Sequence, residues 1–335
     1  MEPGVILEWV IKSVVILISM TAGFAYTTWY ERKVLAKMQV RIGPNRAGPF
    51  ALLQPVADGI KLIFKEELVP AEADKLIFNL APVITVIPAL IVTAVVPWGG
   101  VLDINGFKLS LALTDTNLAI LYIMTVTSIS VYGITLAGWS SNNKYAMLGG
   151  LRATAQMISY ELALGLSLVG PVLVAGTMSL GKIVEMQQGG WFILFQPVAA
   201  IIYFIAIIAE VNRAPFDMPE AEQELTAGYH TEYSGMKFAL FFMAEYAKMV
   251  AVSMIGATVF LGGYLGPFLD IAPWLGPVWL WVKVAVLLFV FIWIRATSPR
   301  IRYDRLMAFG WKILFPLALA NVLVTAVVVA FMGGK

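Results

Sequence analysis

Residues 5–29 read VILEWVIKSVVILISMTAGFAYTTW. At about 1.5 Å of rise per residue, a helix over this run reaches roughly 38 Å, more than the ~30 Å hydrocarbon core of a bilayer. The run is too long, and too poor in a small-residue cleavage site, for a removable signal peptide, so it reads as a first membrane span. Seven similar runs follow at 76–96, 118–139, 155–174, 192–209, 238–261, 278–294 and 313–331. The expected fold is therefore an all-α integral membrane protein, a bundle of about eight transmembrane helices in one polytopic domain over residues 1–335.

Composition agrees. The chain is 60% hydrophobic and 13% charged, with a mean hydropathy of +0.82, where soluble domains are roughly half apolar and a quarter charged. It holds no cysteine and one histidine, His230. That rules out an iron–sulfur cluster held by this chain and the paired histidines of a membrane haem, so no cofactor or metal of its own is expected. A net charge of +2 gives no reason to expect nucleic acid.

An even number of spans puts both termini on one side. The intervening loops then divide sharply by charge. Loops 30–75, 140–154, 210–237 and 295–312 hold 17 of the 23 Lys and Arg, whereas the opposite side holds Lys108, Lys182 and Lys335. By the positive-inside rule the charged side is cytoplasmic and the termini lie outside.

The first inner loop carries Glu31 and Arg32 at the exit of the first span, then RIGPNRAGP over 41–49, whose Gly and Pro residues impose tight turns. Beyond it Leu52, Leu53, Val56, Ile60, Ile63 and Phe64 share one helical face, with Gln54, Asp58, Lys61 and Lys65 opposite. This pattern predicts an amphipathic helix in the membrane interface; a solvated loop helix is the plainer alternative. The third inner loop and the start of the next span read AEVNRAPFDMPEAEQELTAGYHTEYSGMKFALFFMAEY over 209–246. Asp217 can cap a short helix with Pro219 in its first turn, placing Glu220, Glu222 and Glu224 near a positive dipole end. Capping accounts for one or two of these acids. So many carboxylates beside only Arg213 and Lys237 ask for more, because like charges that close resist simultaneous ionisation. RATSPRIRYDR over 295–305 supplies a balancing basic cluster with Arg295 and Arg300, or serves only as a positive-inside anchor.

Some charges fall inside the spans. Glu161 and Glu245 each lie about seven residues into an apolar run, roughly 10 Å deep. Lys248 follows Glu245 by three positions, which suits a local ion pair. An ionisable group at a span centre costs about 2.5 to 3.5 kcal/mol on insertion scales, so such residues face the bundle interior or a wet cavity, as a functional relay or as a purely structural pair. Glu8 and Lys12, four apart, pair locally, and Lys283 is expected to snorkel outward.

Four long strings carry a resemblance over essentially the whole chain: ERKVLAKMQVRIGPNRAGPFALLQPVADGIKLIFKEE from Glu31, LGGLRATAQMISYEL from Leu148, the acidic loop above, and RATSPRIRYDRL from Arg295. They resemble the family of H subunits of NADH-quinone oxidoreductase, the respiratory complex I membrane subunits equivalent to mitochondrial subunit 1. The resemblance implies a place at the junction of the electron-transfer arm and the proton-pumping membrane arm, with the chain forming much of the quinone chamber. It implies quinone as substrate, reached past the first span, the interfacial helix and the sixth span, and iron–sulfur clusters and FMN held by partner subunits. Glu31, Arg32, Asp58, Arg213, Asp217, Glu220, Glu222, Glu224, Arg295 and Arg300 would line the chamber or the charged path from it. Glu161, Glu210, Glu245 and Lys248 would carry that path into the membrane.

Implied partners are the hydrophilic quinone-site and iron–sulfur subunits, small membrane subunits, antiporter-like subunits and membrane lipid, in a bacterial inner membrane rather than that of an organelle. Two alternatives stay open. A homologous component of a membrane-bound hydrogenase or ferredoxin-linked dehydrogenase would share the fold, although GPNRAGP and EAEQELTAGYHTEYSG favour the quinone branch. A stand-alone proton-coupled transporter would also bury Glu and Lys, but no inverted repeat or interrupted helix pair is evident.

Overall fold

The computed structural model describes residues 3–104, 107–217, 227–269 and 271–333. The first apolar run forms α1 (Pro3–Met38), whose 36 residues continue nine positions past the expected inner boundary. A hydrophobic run marks only the lipid-facing part of a helix, and backbone hydrogen bonding continues through polar residues until something caps or breaks it. The same holds for α5 (Lys144–Ala175), which absorbs nearly all of the expected loop 140–154. Asn143 caps its start, accepting from the Tyr145 amide at 2.9 Å. Glu161 thus stands near the middle of a long helix, not seven residues from its beginning.

The other spans are α3 (Lys75–Ile91), α4 (Ala119–Ser140), α9 (Gly235–Phe260), α10 (Gly276–Thr297), and α11 (Tyr303–Phe309), which passes through a π-helical turn (Gly310–Leu314) into α12 (Phe315–Gly333). Short α2 (Gln54–Ile63) precedes α3, and α6 (Leu180–Met186) follows α5. Seven helices among the described residues are long and apolar enough to cross a bilayer.

The expected fifth span is not one helix. It breaks into α7 (Phe192–Phe195) and α8 (Pro197–Glu210), with Gln196 between them at φ −130°, ψ 54°. Pro197 causes the break, because its ring bars the preceding residue from helical geometry. At 1.5 Å per residue α8 is only about 21 Å long, short of the ~30 Å core, so the span is completed by α7 and the bend. The polar Gln196 at the bend exchanges hydrogen bonds with Thr325 of α12 at 3.1 and 3.3 Å, as exposed polar groups within a membrane require. The all-α class holds, with one small antiparallel hairpin among the described residues on the poorly charged side, β1 (Val101–Ile104) with β2 (Phe107–Ser110), in register Val101↔Ser110.

The amphipathic helix forms where the periodicity put it, as α2. None of its residues is buried, and Leu53, Val56, Ile60 and Ile63 remain exposed on an apolar face suited to lipid. The preceding turn uses Gly48 at φ +73° and is tied to α1 by Trp29, whose indole donates to the Phe50 carbonyl at 3.1 Å.

In the bundle α3 packs on α4 and α9, α4 on α5, α5 on α8 and α12, and α9 on α10 and α1. Small residues let α4 and α5 approach closely beside the turn that joins them. A Cβ on Gly138 of α4 would stand 2.6 Å from the Ala146 carbonyl and 3.2 Å from the Gly150 Cα. Backbone cannot yield as a side chain can, so G138A is expected to cost about 1–3 kcal/mol, typical of overpacking. G59A on exposed α2, where a Cβ meets nothing within 4 Å, is expected to cost nothing. Thermal unfolding of the two variants in detergent checks the contrast; equal midpoints would refute it.

At the outer end, Glu8 and Lys12 pair at 2.5 Å as expected. Lys283 does not snorkel into water. Its ammonium donates to the carbonyls of Leu261, Gly263 and Leu265 at 2.6–2.8 Å, capping the C-terminus of α9, where free carbonyls and the helix dipole favour a cation.

Candidate functional site

Helix α8 ends at Glu210, and the chain turns sharply through Asn212 (φ +57°) and a cis peptide before Pro215. Two backbone bonds shape the turn, Arg213 N–H to Ile208 at 3.2 Å and Phe216 N–H to Arg213 at 2.8 Å. They deliver the Arg213 guanidinium, 6% exposed, into a space between three helices. There Nη1 lies 3.2 Å from Glu31 of α1 and Nε lies 2.5 Å from Glu245 of α9. The guanidinium stacks over the Tyr246 ring, 4.4 Å from its centroid, while the Tyr246 hydroxyl donates to Glu31 at 2.6 Å. Arg295, in the last turn of α10, also bonds Glu31.

A planar guanidinium satisfies two carboxylates at once, which a lysine ammonium in that place would do less well. Burial works against the Arg213 charge, but Glu245 and then Glu31 outweigh it and hold the group more firmly protonated than a free arginine.

This geometry corrects the expected local pair. Glu245 binds Arg213, not Lys248, and no described carboxylate lies within ion-pair distance of Lys248. Helical spacing put the two on nearby faces, but the incoming Arg213 turn claims the carboxylate. Lys248, 7% exposed, is answered electrostatically first by Glu210, then by Glu161 and Glu245. Glu161 accepts a hydrogen bond from Ser128 of α4. Glu210 is 1% exposed, and among the described residues neither of its carboxylate oxygens has a hydrogen-bond partner. Beside it lies a cavity of about 20 Å³ lined by Glu210, Glu245, Lys248, Asn212, Thr85 and Tyr229. A space of that size and polarity takes about one water.

Other expected site residues lie apart. Arg32 pairs with Asp58 of α2 at 2.8 Å on the exposed inner face, where Gln54 also donates to Asp58 at 3.0 Å. Arg300 bonds the backbone carbonyl of Asp217. Glu220, Glu222, Glu224 and the expected helix beginning near Pro219 lie outside the described residues.

Three contributors escaped the sequence reading: Tyr246, Ser128 and Asn212. Only Tyr246 left a signal, as an aromatic hydroxyl beside an intramembrane acid. The others act through contacts between distant segments.

Such a bundle, with an ion network joining three helices and a turn at one end of its spans and a further buried carboxylate and lysine farther in, defines a polytopic membrane protein that holds charged side chains within its helix bundle. Comparison with known sequences gives the particular family. Residues 11–326 match the NADH dehydrogenase family. The chain is 54% identical to the NADH-quinone oxidoreductase H subunit of Protochlamydia amoebophila over 303 residues, covering 90% of this chain and 91% of that protein. It is 52% identical to the corresponding H subunit of Thermomicrobium roseum, covering 91% of each chain, and 50% identical to one from Geobacter sulfurreducens, covering 97% of this chain and 95% of that one. The chain belongs to the family of NADH-quinone oxidoreductase H subunits, the membrane subunits of a multi-subunit enzyme complex.

Proposed function

We propose that this membrane subunit forms much of the quinone-binding chamber of its NADH-quinone oxidoreductase and couples quinone reduction to proton translocation through its buried carboxylates. One observation carries the reading: Glu31, Arg213 and Glu245 form a buried ion network, and Glu245 also lines the polar cavity that holds Lys248 and Glu210. Reducing a quinone adds electrons and demands protons. A transient negative charge near Glu31 competes for Arg213 and Arg295, and whatever Arg213 gives up at Glu245 is felt by Lys248 and its acids. Glu161, Glu210 and Lys248 then pass the change inward to antiporter-like subunits.

Hydrophilic quinone-site and iron–sulfur subunits, with FMN farther upstream, dock on the charged inner side in this reading, and small membrane subunits flank the bundle. The termini face outward across a bacterial cell membrane, as the distribution of Lys and Arg and the bacterial relatives support.

Glu31→Gln tests the reading. It preserves shape but leaves Arg213 and Arg295 short of a carboxylate. Quinone reduction by the assembled complex is expected to fall about tenfold, equivalent to ~1.4 kcal/mol, while NADH oxidation by an artificial acceptor persists. Full quinone reductase activity would remove the network from the mechanism.

A further inference from the structure

We infer that Gln156 of α5 is a positioning residue of this site, acting through Arg213 by fixing the turn that carries it. The inference rests on the functional reading above and adds a residue with no charge and no contact with the ion network itself.

Gln156 is 0% exposed. Its side-chain nitrogen donates to the Phe216 carbonyl at 2.7 Å, to the Ala209 carbonyl at 2.9 Å and, more distantly, to Asn212 Oδ1 at 3.2 Å. Three converging acceptors fix which end of the amide is nitrogen, since the reversed orientation would set oxygen against oxygen. Ala209 lies in the last turn of α8 and Phe216 lies beyond the turn, so one amide group spans both ends of residues 209–216 with Arg213 between them. The Asn212 contact falls on a residue in the left-handed region, which asparagine enters more readily than most side chains.

The far side of the turn is held by the segment after α10, where the Ile301 amide donates to the Pro215 carbonyl at 3.2 Å and Arg300 bonds the Asp217 carbonyl. The turn's internal bonds shape the curve but do not anchor it to α5. The weak Asn212 amide contact with the Met157 sulfur, at 3.6 Å, is a poor substitute. Gln156 also stands five residues before Glu161 on the same rigid helix, so it ties the Arg213 turn to the element that carries one of the inner carboxylates. Losing the two strong bonds lets the turn relax, and an arginine that must meet Glu31 and Glu245 together tolerates little displacement.

The test uses the whole complex with Gln156→Met, Gln156→Glu, Arg213→Lys and the double variant Q156M/R213K. A Met side chain fills the space without donating; a buried carboxylic acid carries one O–H and replaces one of the two strong bonds. The expected result is a tenfold fall in kcat for quinone reduction in Q156M with KM for quinone unchanged, Q156E falling between it and the parent, and NADH oxidation by an artificial acceptor intact. Because Gln156 acts through Arg213, the double variant is expected within twofold of R213K alone.

Full kcat in Q156M, or losses that multiply in the double variant, would overturn the inference. If Q156M does not assemble, Q156E carries the test, and full activity there would overturn it. Full activity in R213K beside an impaired Q156M would also sink it, because Gln156 would then act elsewhere. That outcome differs from failure of the broader reading, which shows as full activity in E31Q.

Discussion

Arg213→Met is expected to abolish quinone reduction and to reduce severalfold the amount of complex that assembles. The side chain is buried between Glu31 and Glu245, and its removal leaves two carboxylates facing each other, with Arg295 still answering only Glu31. Breaking a buried ion pair from one side costs about 3–5 kcal/mol because a charge is left uncompensated, a large share of a typical folding free energy. The cost is conditional on the surviving acid. R213M/E245M, which removes both partners of the 2.5 Å pair, is therefore expected to regain most of the assembly and none of the activity. Native electrophoresis of the membranes gives the first quantity and quinone reductase assays the second. If the double variant assembles no better than R213M, the loss does not come from an orphaned charge.

Glu210→Gln is expected to behave in the opposite way, with normal assembly and about a tenfold loss of both quinone reduction and proton translocation. Neither Glu210 oxygen accepts a hydrogen bond from a described residue, so an amide of the same shape forfeits none of the bonds seen. What disappears is the foremost counter-charge of Lys248, an acid that lines the same cavity. Removing that negative charge unbalances the buried Lys248 ammonium, and an inward transfer that relies on the balance stalls. Proton uptake by reconstituted vesicles, normalised to the amount of complex, is the measurement. Undiminished pumping in E210Q would place the proton path elsewhere.

Seven of the eight expected spans and the amphipathic helix were legible in local sequence: long apolar runs mark the spans, and residues 54–63 show their pattern within three turns. The break at Gln196 was legible in principle from Gln196-Pro197, but an apolar run of that length hid it, since hydropathy is blind to a bent backbone. The identity of the charged residues was legible too. Glu31, Arg213, Glu245 and Arg295 all stood out as acids or bases in or beside apolar sequence, and they do converge. Their pairing was not. The one local rule available, helical spacing, joined Glu245 to Lys248, whereas the observed partner arrives from a turn on another element. Gln156 left no trace, because a glutamine in a helix is ordinary and its importance lies in which carbonyls happen to end beside it.

The ion network also sets an order of events during synthesis. Glu31 lies on the first helix made, Arg213 follows 182 residues later and Arg295 264 residues later. At roughly 5–20 residues per second, the first carboxylate exists for about 13–53 s before its last partner has been translated. During that time it cannot be buried without its counter-charges, so α1 stays at the edge of the nascent bundle with its inner end in contact with water. Closure of the network is thus a late step of biogenesis. A chain truncated before α10 would carry every span up to α9 and still leave Glu31 without Arg295.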